Sequence, residues 1–203
     1  MDKRSKMRSV DKTKIRDFFD GWALSWDEGM VKDDQIMNAI LDNAGIKEGQ
    51  DVLDVACGTG VMIDYYLQRD VRSVTGVDFS ERMCEIAAGK FSDGRVRILC
   101  EDIENYTDED GYDAIVVYNS FPHFPDPEKL IEHLSFLLRK GGILTVAHGM
   151  SRDRVNSHHS NVSYEIKRDL PQADRLEEIF SRHLKVTSVV SDARMYQVCG
   201  KKI

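Results

Sequence analysis

Three aspartates, Asp54, Asp78 and Asp102, follow one another at intervals of 24 residues. The first opens the segment Asp54-Val55-Ala56-Cys57-Gly58-Thr59-Gly60. A glycine-containing turn of this kind lets a ligand approach the backbone and presents free N–H groups at a helix start. Asp78 closes the next apolar run, 18 residues beyond Gly60. A carboxylate there can accept hydrogen bonds from both hydroxyls of a ribose. Asp102 follows a third run, where it can accept from the exocyclic amine of an adenine, with the Ile103 N–H nearby. The plainer reading of Asp102 is a cap in an acidic loop.

Alternating elements must position these groups. Short apolar runs recur at 51–57, 73–79, 96–101, 112–119, 142–148, 185–192 and 195–202, and helical stretches fit between most of them. Strand and helix in alternation predict a parallel sheet covered on both faces. The last two runs leave no room for a helix, so they are expected to pair as a hairpin with an antiparallel final strand. The helix easiest to place begins at Asp126-Pro127, with Asp as N-cap and Pro in the first turn, and should stop at Gly141-Gly142. Before residue 45 two helical stripes are visible, Ile15/Phe18/Phe19/Trp22 and Ile36/Met37/Ile40/Leu41/Ala44. The expected organisation is a helical lid over 1–45 and a sheet domain over 46–203, with 1–44 removable without unfolding the sheet.

Length and charge narrow the class. The 203 residues make one domain, 41% hydrophobic and 31% charged, so a core can form. No apolar run is long enough for a membrane span, and the charged N-terminus has no secretory pattern, so a cytoplasmic protein is expected. Residues 1–16 carry seven basic and two acidic groups, within a chain of net charge −7. The acidic remainder disfavours nucleic acid as a partner. The basic arm reads as a solvated terminus or a contact tail. Cys57, Cys84, Cys100 and Cys199 have neither zinc nor disulfide spacing and read as small buried thiols.

The successive segments DVLDVACGTG, VTGVDFS, CEDIENY, YDAIVVYNSFPHFPD and LRKGGILTVAH resemble, in order and spacing over 51–150, the motifs of class I S-adenosylmethionine-dependent methyltransferases. The head, FFDGWALSWDE, is similar to the lid of the small-molecule, quinone-biosynthesis-like branch. The resemblance implies an α/β, Rossmann-like fold: a seven-stranded, mostly parallel sheet with an antiparallel C-terminal hairpin, helices on both faces and an N-terminal helical lid. A dinucleotide is disfavoured, because Gly58 and Gly60 are followed by Ile63 where a full GxGxxG fingerprint needs glycine; Ala56 stands at the first glycine position of the methyltransferase motif.

The implied cofactor is S-adenosylmethionine, with S-adenosylhomocysteine as product. The resemblance places Asp54, Ala56, Cys57, Gly58 and Gly60 around its methionyl end. It puts Asp78 on the ribose with Phe79 against the ring face, Asp102 and Ile103 at the adenine, and Asn119 beside the sulfonium. Asn119 also reads as a turn residue. The implied reaction is in-line transfer of methyl to a small-molecule acceptor. RNA or protein methylation, and a non-catalytic cofactor-binding module, are the alternatives. The acceptor should sit against the loops beyond the strand ends. His123 reads as a general base or as pocket lining, and Phe121 and Phe124 as pocket walls or loop packing. His148, His158 and His159 follow the fifth strand; they can supply a base, hold the acceptor, bind a divalent metal or form a neutral loop. His148 is the second base candidate, and no metal site is assigned. Trp22, Trp26 and Tyr164 can close the lid, with Trp26 the stronger substrate contact and Trp22 better read as core. His133 and His183 read as structural helix residues. The acceptor atom and the oligomeric state, a homodimer included, stay open.

Overall fold

A computed structural model describes residues 11–30, 32–158 and 168–203. Seven strands form one sheet: β1 (Asp51–Val55), β2 (Ser73–Asp78), β3 (Val96–Cys100), β4 (Tyr112–Tyr118), β5 (Leu138–His148), β6 (Lys185–Ser191) and β7 (Tyr196–Lys201). Their order is β3-β2-β1-β4-β5-β7-β6. The pairs from β3 to β5 are parallel. β7 runs antiparallel to both β5 and β6, so the hairpin and the mixed sheet are as expected. The order reverses at β1, between β2 and β4, and open sheets bind ligands in the crevice at such a point.

Strand residues alternate between two cores. Leu53, Val55, Val77, Ile115, Val117, Leu144 and Val146 face one way. There they meet α5 (Pro127–Leu137) and α7 (Ala173–Ser181) through Leu130, Ile131, Leu134, Leu176 and Ile179. Val52, Val74, Ala114 and Val116 face the other way, onto α2 (Asp34–Asn43) and α3 (Ile63–Leu67) through Met37, Leu41, Ile63 and Tyr66. Helices therefore cover both faces. The rest are α1 (Lys12–Trp22), α4 (Glu81–Lys90) and α6 (Arg152–His158). Among the described residues no helix is long and apolar enough to cross a membrane.

Local chemistry explains the helix starts. Asp33 accepts from the Gln35 and Ile36 amides, Ser80 from Met83, and Asp126 from Lys129 with Pro127 behind it. The end of α5 departs from expectation. It stops at Leu137, and Gly141 and Gly142 lie inside β5, not at a helix cap. A Cβ at Gly142 would meet three backbone oxygens, of Arg139, Asp113 and Tyr112, each at 3.0 Å. The glycines thus serve a tight fold of the strand at the β4–β5 irregularity.

The first 45 residues divide physically. In α2, Ile40 and Leu41 are fully buried, and Gln197 of β7 reaches both the Ile40 carbonyl (2.8 Å) and the Asn43 amide (2.9 Å). Removing 1–44 would open the core, so the expectation that the sheet survives that deletion gives way. Among the described residues of this stretch, α1 and the short 3-10 turn Ala23–Ser25 sit as a cover, against α4.

Candidate active site

The strand ends at the switch point converge on a cavity of about 710 Å³. Its floor is the turn after β1. Ala56 (φ 52°), Gly58 (φ 55°) and Gly60 (φ 85°) all take left-handed backbone. That conformation is strained for alanine and free for glycine. A Cβ at Gly58 would meet nothing within 4 Å, so the turn leaves room above it for a ligand. Gly60 is the opposite case: a Cβ there would lie 2.5 Å from Phe91 Cε2 and 3.0 Å from Ile63 Cδ1. Gly60→Ala is expected to destabilise the fold by about 1–3 kcal/mol, from overpacking and from the positive φ together. Urea denaturation checks this, and an unchanged midpoint would refute it.

Asp78 is buried and its carboxylate is aimed by the backbone. Oδ2 accepts from the Gly58 amide (2.8 Å) and Oδ1 from the Ser80 amide (2.9 Å). Burial raises its pKa despite those bonds. Asp102 lies beyond β3. Its Oδ1 accepts from the Glu104 amide (3.1 Å), which is the cap reading realised, while its Oδ2 takes the Lys12 ammonium at 2.5 Å. Lys12 also reaches Glu104 at 2.6 Å, so α1 is pinned across the β3 loop. Two further ties hold the cover. Asp20 Oδ1 receives the Ser80 hydroxyl at 2.6 Å and the Arg82 amide at 3.2 Å. Asp27 receives the Thr59 hydroxyl at 2.7 Å and pairs with Lys90, which also reaches the Thr59 carbonyl at 3.0 Å.

Ala56, Cys57, Gly58, Asp78, Phe79, Asp102, Ile103 and Asn119 all line this one cavity, and so do Trp26, His123 and Phe124. Asn119 (φ 52°) donates its amide N–H to the Ala147 carbonyl (2.9 Å) and accepts the Gly149 amide on Oδ1 (3.0 Å). It braces the ends of β4 and β5 while bordering the cavity. His123 ends the 3-10 turn Phe121–His123, and its ring meets Phe19 edge-on at 5.0 Å. Phe19 in turn meets Trp26 at 5.4 Å. This aromatic chain joins the cover to the β4 loop.

Other candidates fall elsewhere. Gly60 supports the turn from below. Asp54 lies under the floor, wholly buried, with burial pushing its pKa up to about 8. No hydrogen bond of standard geometry reaches its Oδ2 or the buried Tyr66 hydroxyl that faces it. Phe121 is 1% exposed and belongs to the α5-side core, so it is no wall of the acceptor space. His148 is 2% exposed and stacks edge-on against Tyr196 at 6.2 Å. As the last residue of β5 it shares the face of Leu144 and Val146, and it is not among the residues that line the cavity. His158 ends α6, but its side chain, all of His159 and Tyr164 lie outside the described residues. Among the described residues no group of three His, Cys, Asp or Glu side chains is placed to hold a metal. Trp22 borders the cavity and is 56% exposed, so it is not core. His183 falls in the turn after α7, not within the helix. Cys100 is exposed, unlike the other three cysteines.

Sequence reasoning missed Lys12, Phe19, Met30, Lys32, Met37 and Tyr118 as lining residues. The stripe Ile15/Phe19 was visible as an amphipathic face. What it covers was not.

Fold and site together define an open α/β protein with a cleft at its switch point, under a helical cover. Residues 52–142 match a family model described as a methyltransferase domain. The chain is 30% identical over 145 residues to a ubiquinone biosynthesis O-methyltransferase of Coxiella burnetii, covering 68% of this chain and 62% of that protein. This chain therefore spans somewhat less than two thirds of that relative's length. It is 26% identical over 199 residues to a malonyl-[acyl-carrier protein] O-methyltransferase of Ilyobacter polytropus, covering 92% of this chain and 72% of the relative. Magnesium protoporphyrin IX methyltransferase from Synechocystis, solved with bound S-adenosylhomocysteine, shares the fold at a TM-score of 0.73 and 17% identity, over 95% of this chain and 100% of that one. Over residues 52–142 the chain thus carries a methyltransferase domain, and it is similar to class I S-adenosylmethionine-dependent methyltransferases, whose cofactor is S-adenosylmethionine.

Proposed function

We propose that this chain methylates a small-molecule acceptor held between the α1 cover and the β4 loop. One observation carries the reading. A single cavity is lined both by Gly58, Asp78 and Asp102 and by Phe19, Trp26, His123 and Phe124. Its volume lies within the range of roughly 300–1,000 Å³ usual for ligand sites. The residues present fit the cofactor: the turn at Gly58 is open above, and two carboxylates border the cleft where ribose and adenine would lie. When bound, S-adenosylmethionine supplies a methyl already activated by its sulfonium, for in-line displacement.

The protein's own task is then mostly positioning and exclusion of water. Asp78 orients the ribose through a carboxylate held by two amides. Asp102 exchanges part of its bond to Lys12 for the adenine amine, which couples cofactor binding to the seating of α1. Phe19, Trp26 and Phe124 give the acceptor an apolar wall. His123 stands on that wall as the group that takes the acceptor's proton. Gly60, Asp54 and Asn119 act by shaping the turn and the strand ends. His158 and His159 stay part of the proposal as acceptor contacts, and the acceptor atom is left unassigned.

Asp78→Asn is expected to weaken S-adenosylhomocysteine binding by about 1.5–3 kcal/mol, the worth of hydrogen bonds to a charged group. Calorimetry reads the loss, and a melting curve confirms that the Gly58 and Ser80 bonds still hold the fold. Binding equal to the wild type would remove Asp78 from the ribose. Detection of S-adenosylhomocysteine released with a panel of small acceptors, RNA and peptides tests the reaction itself. Turnover on RNA or peptide alone would overturn the small-molecule reading. A cytoplasmic location and a homodimer belong to the same proposal, read by cell fractionation and sedimentation.

A further inference from the structure

Two cysteines far apart in spacing meet behind the cavity wall. Cys84 lies near the start of α4 and is buried; Cys100 ends β3 and is exposed. The Cys84 Sγ approaches the Asp78 carbonyl (3.3 Å) and the Leu99 carbonyl (3.6 Å). Leu99 is bonded to Cys100, and Asp78 is the ladder partner of Cys100 between β2 and β3. The Cys84 sulfur is thus bracketed by the two backbone carbonyls that flank Cys100. Alternation along β3 puts Cys100 on the face of Val96 and Ile98. Phe91, the residue that follows α4, packs on that face, and α4 lies on β3. Burial, the Asp78 carboxylate and the neighbouring Cys100 thiol push the Cys84 thiol above its usual range. It therefore stays protonated and donates to the Asp78 carbonyl, which also accepts the Glu101 amide at 2.9 Å. Neither Cys84 nor Cys100 is among the cavity-lining residues, but Asp78, Met83, Glu101 and Asp102 are.

We propose that Cys84 and Cys100 close into a reversible disulfide when the protein meets a hydroperoxide, and that closure weakens ligand binding at Asp78 and Asp102. The exposed Cys100 reacts first, as the thiolate. Its sulfur attacks a peroxide oxygen, the O–O bond breaks, and the departing oxygen takes a proton to leave as alcohol or water. Cys100 is then a sulfenic acid, which condenses with a neighbouring thiol. The Cys84 sulfur displaces the sulfenic oxygen: the S–S bond forms, the S–O bond breaks, and the Cys84 proton leaves with the oxygen as water. Two thiols have lost two electrons to one hydroperoxide. The bridge takes the thiol hydrogen away from the Asp78 carbonyl and fastens α4 to the strand end that leads into Asp102. In a reducing compartment such a pair rests as thiols and closes transiently. The effect on the cofactor rests on the methyl-transfer reading, but the disulfide itself does not.

The test treats the reduced full chain with hydrogen peroxide and then blocks the remaining thiols by alkylation. Trypsin cuts after Arg82, Lys90 and Arg97, so Cys84 and Cys100 fall on separate peptides. The expected result is a linked pair of these peptides by mass spectrometry, from protein that runs as a monomer without reductant, and its loss on adding dithiothreitol. Calorimetry should show S-adenosylhomocysteine binding about tenfold weaker after oxidation, within the usual range for coupling between two sites, and recovered on reduction. Cys100→Ser should bind like the reduced wild type and keep that affinity after peroxide. Four results would overturn the proposal: no linked peptide from the folded wild type, Cys84 linked to Cys57 instead, a Cys84–Cys100 bridge that leaves the affinity unchanged, or a Cys100→Ser variant that loses affinity to peroxide as the wild type does. Reduced wild type that fails to bind S-adenosylhomocysteine would sink the cofactor reading, and the linked peptide would still decide the thiol pair.

Discussion

Replacing His123 by alanine is expected to lower kcat by about 10²–10⁴ while S-adenosylhomocysteine affinity stays within about twofold. The asymmetry follows from position. The proposed ribose and adenine contacts come from the turns after β1, β2 and β3, whereas His123 sits on the turn after β4, against Phe19 of α1. Its edge contact with Phe19 means that alanine also removes a piece of the wall. His123→Phe separates the two effects, because it keeps an aromatic ring against Phe19 and has no proton acceptor. If His123 is the base, both variants lose kcat alike, and the rising limb of the pH–rate profile disappears in both. If it only lines the pocket, His123→Phe recovers most of the rate and the loss in His123→Ala falls on KM. A kcat within threefold of wild type in both variants would end the base assignment.

The second large effect concerns Asp54 and pH. Its pKa, raised by burial from 3.8 to about 8, means that the folded chain keeps this proton through neutrality while the unfolded chain has lost it. The native state therefore binds more protons, and stability falls as pH rises. The contribution is complete below about pH 4 and lost progressively towards pH 8. At about 1.4 kcal/mol per unit the wild type gives up on the order of 4–5 kcal/mol across that window. Asp78, also raised by burial, adds in the same direction. Asp54→Asn keeps the size and removes the titration. The variant should match the wild type near pH 4 and be the more stable of the two at pH 8, with a flatter profile between. Urea midpoints measured from pH 4 to pH 8 check this. Parallel profiles for the two proteins would show that Asp54 is ionised in the fold.

Much of the frame was legible because it is periodic. The strand runs, the Asp126-Pro127 helix start and the closing hairpin each follow from spacing and from turn chemistry local to a few residues. So do the glycine-containing turn at Gly58 and Gly60, and Asp78 and Asp102 at strand ends. What was not legible depends on direction or on distance along the chain. His148 was visible as a strand-end histidine, but which face it takes is set by the register of β5 on β7, where it pairs with Tyr196. Phe121 was visible as a loop aromatic, and only packing places it among Leu130 and Leu134. Trp22 completes the stripe of Ile15, yet α1 is a cover with one neighbouring layer, so the end of that stripe faces solvent. The Lys12–Asp102 bond joins residues 90 positions apart, and nothing in either neighbourhood announces the other.

The insertion of β7 between β5 and β6 bears on how the chain reaches this structure. A sheet built strictly in chain order would grow by adding each new strand to an exposed edge. Here β6 is made before β7 but has no place on β5 until β7 arrives, since its ladder partners run from Tyr196 to Lys201. Until then the β5 edge presents Ile143, Leu144 and Val146 without backbone partners. During synthesis that edge stays open while roughly fifty further residues are added, a matter of several seconds at ribosomal speed. An open apolar strand edge is where a second nascent chain can add itself. The interval between making β5 and closing β7 is thus the stage at which misassembly competes with folding, and the hairpin acts as the clasp that ends it.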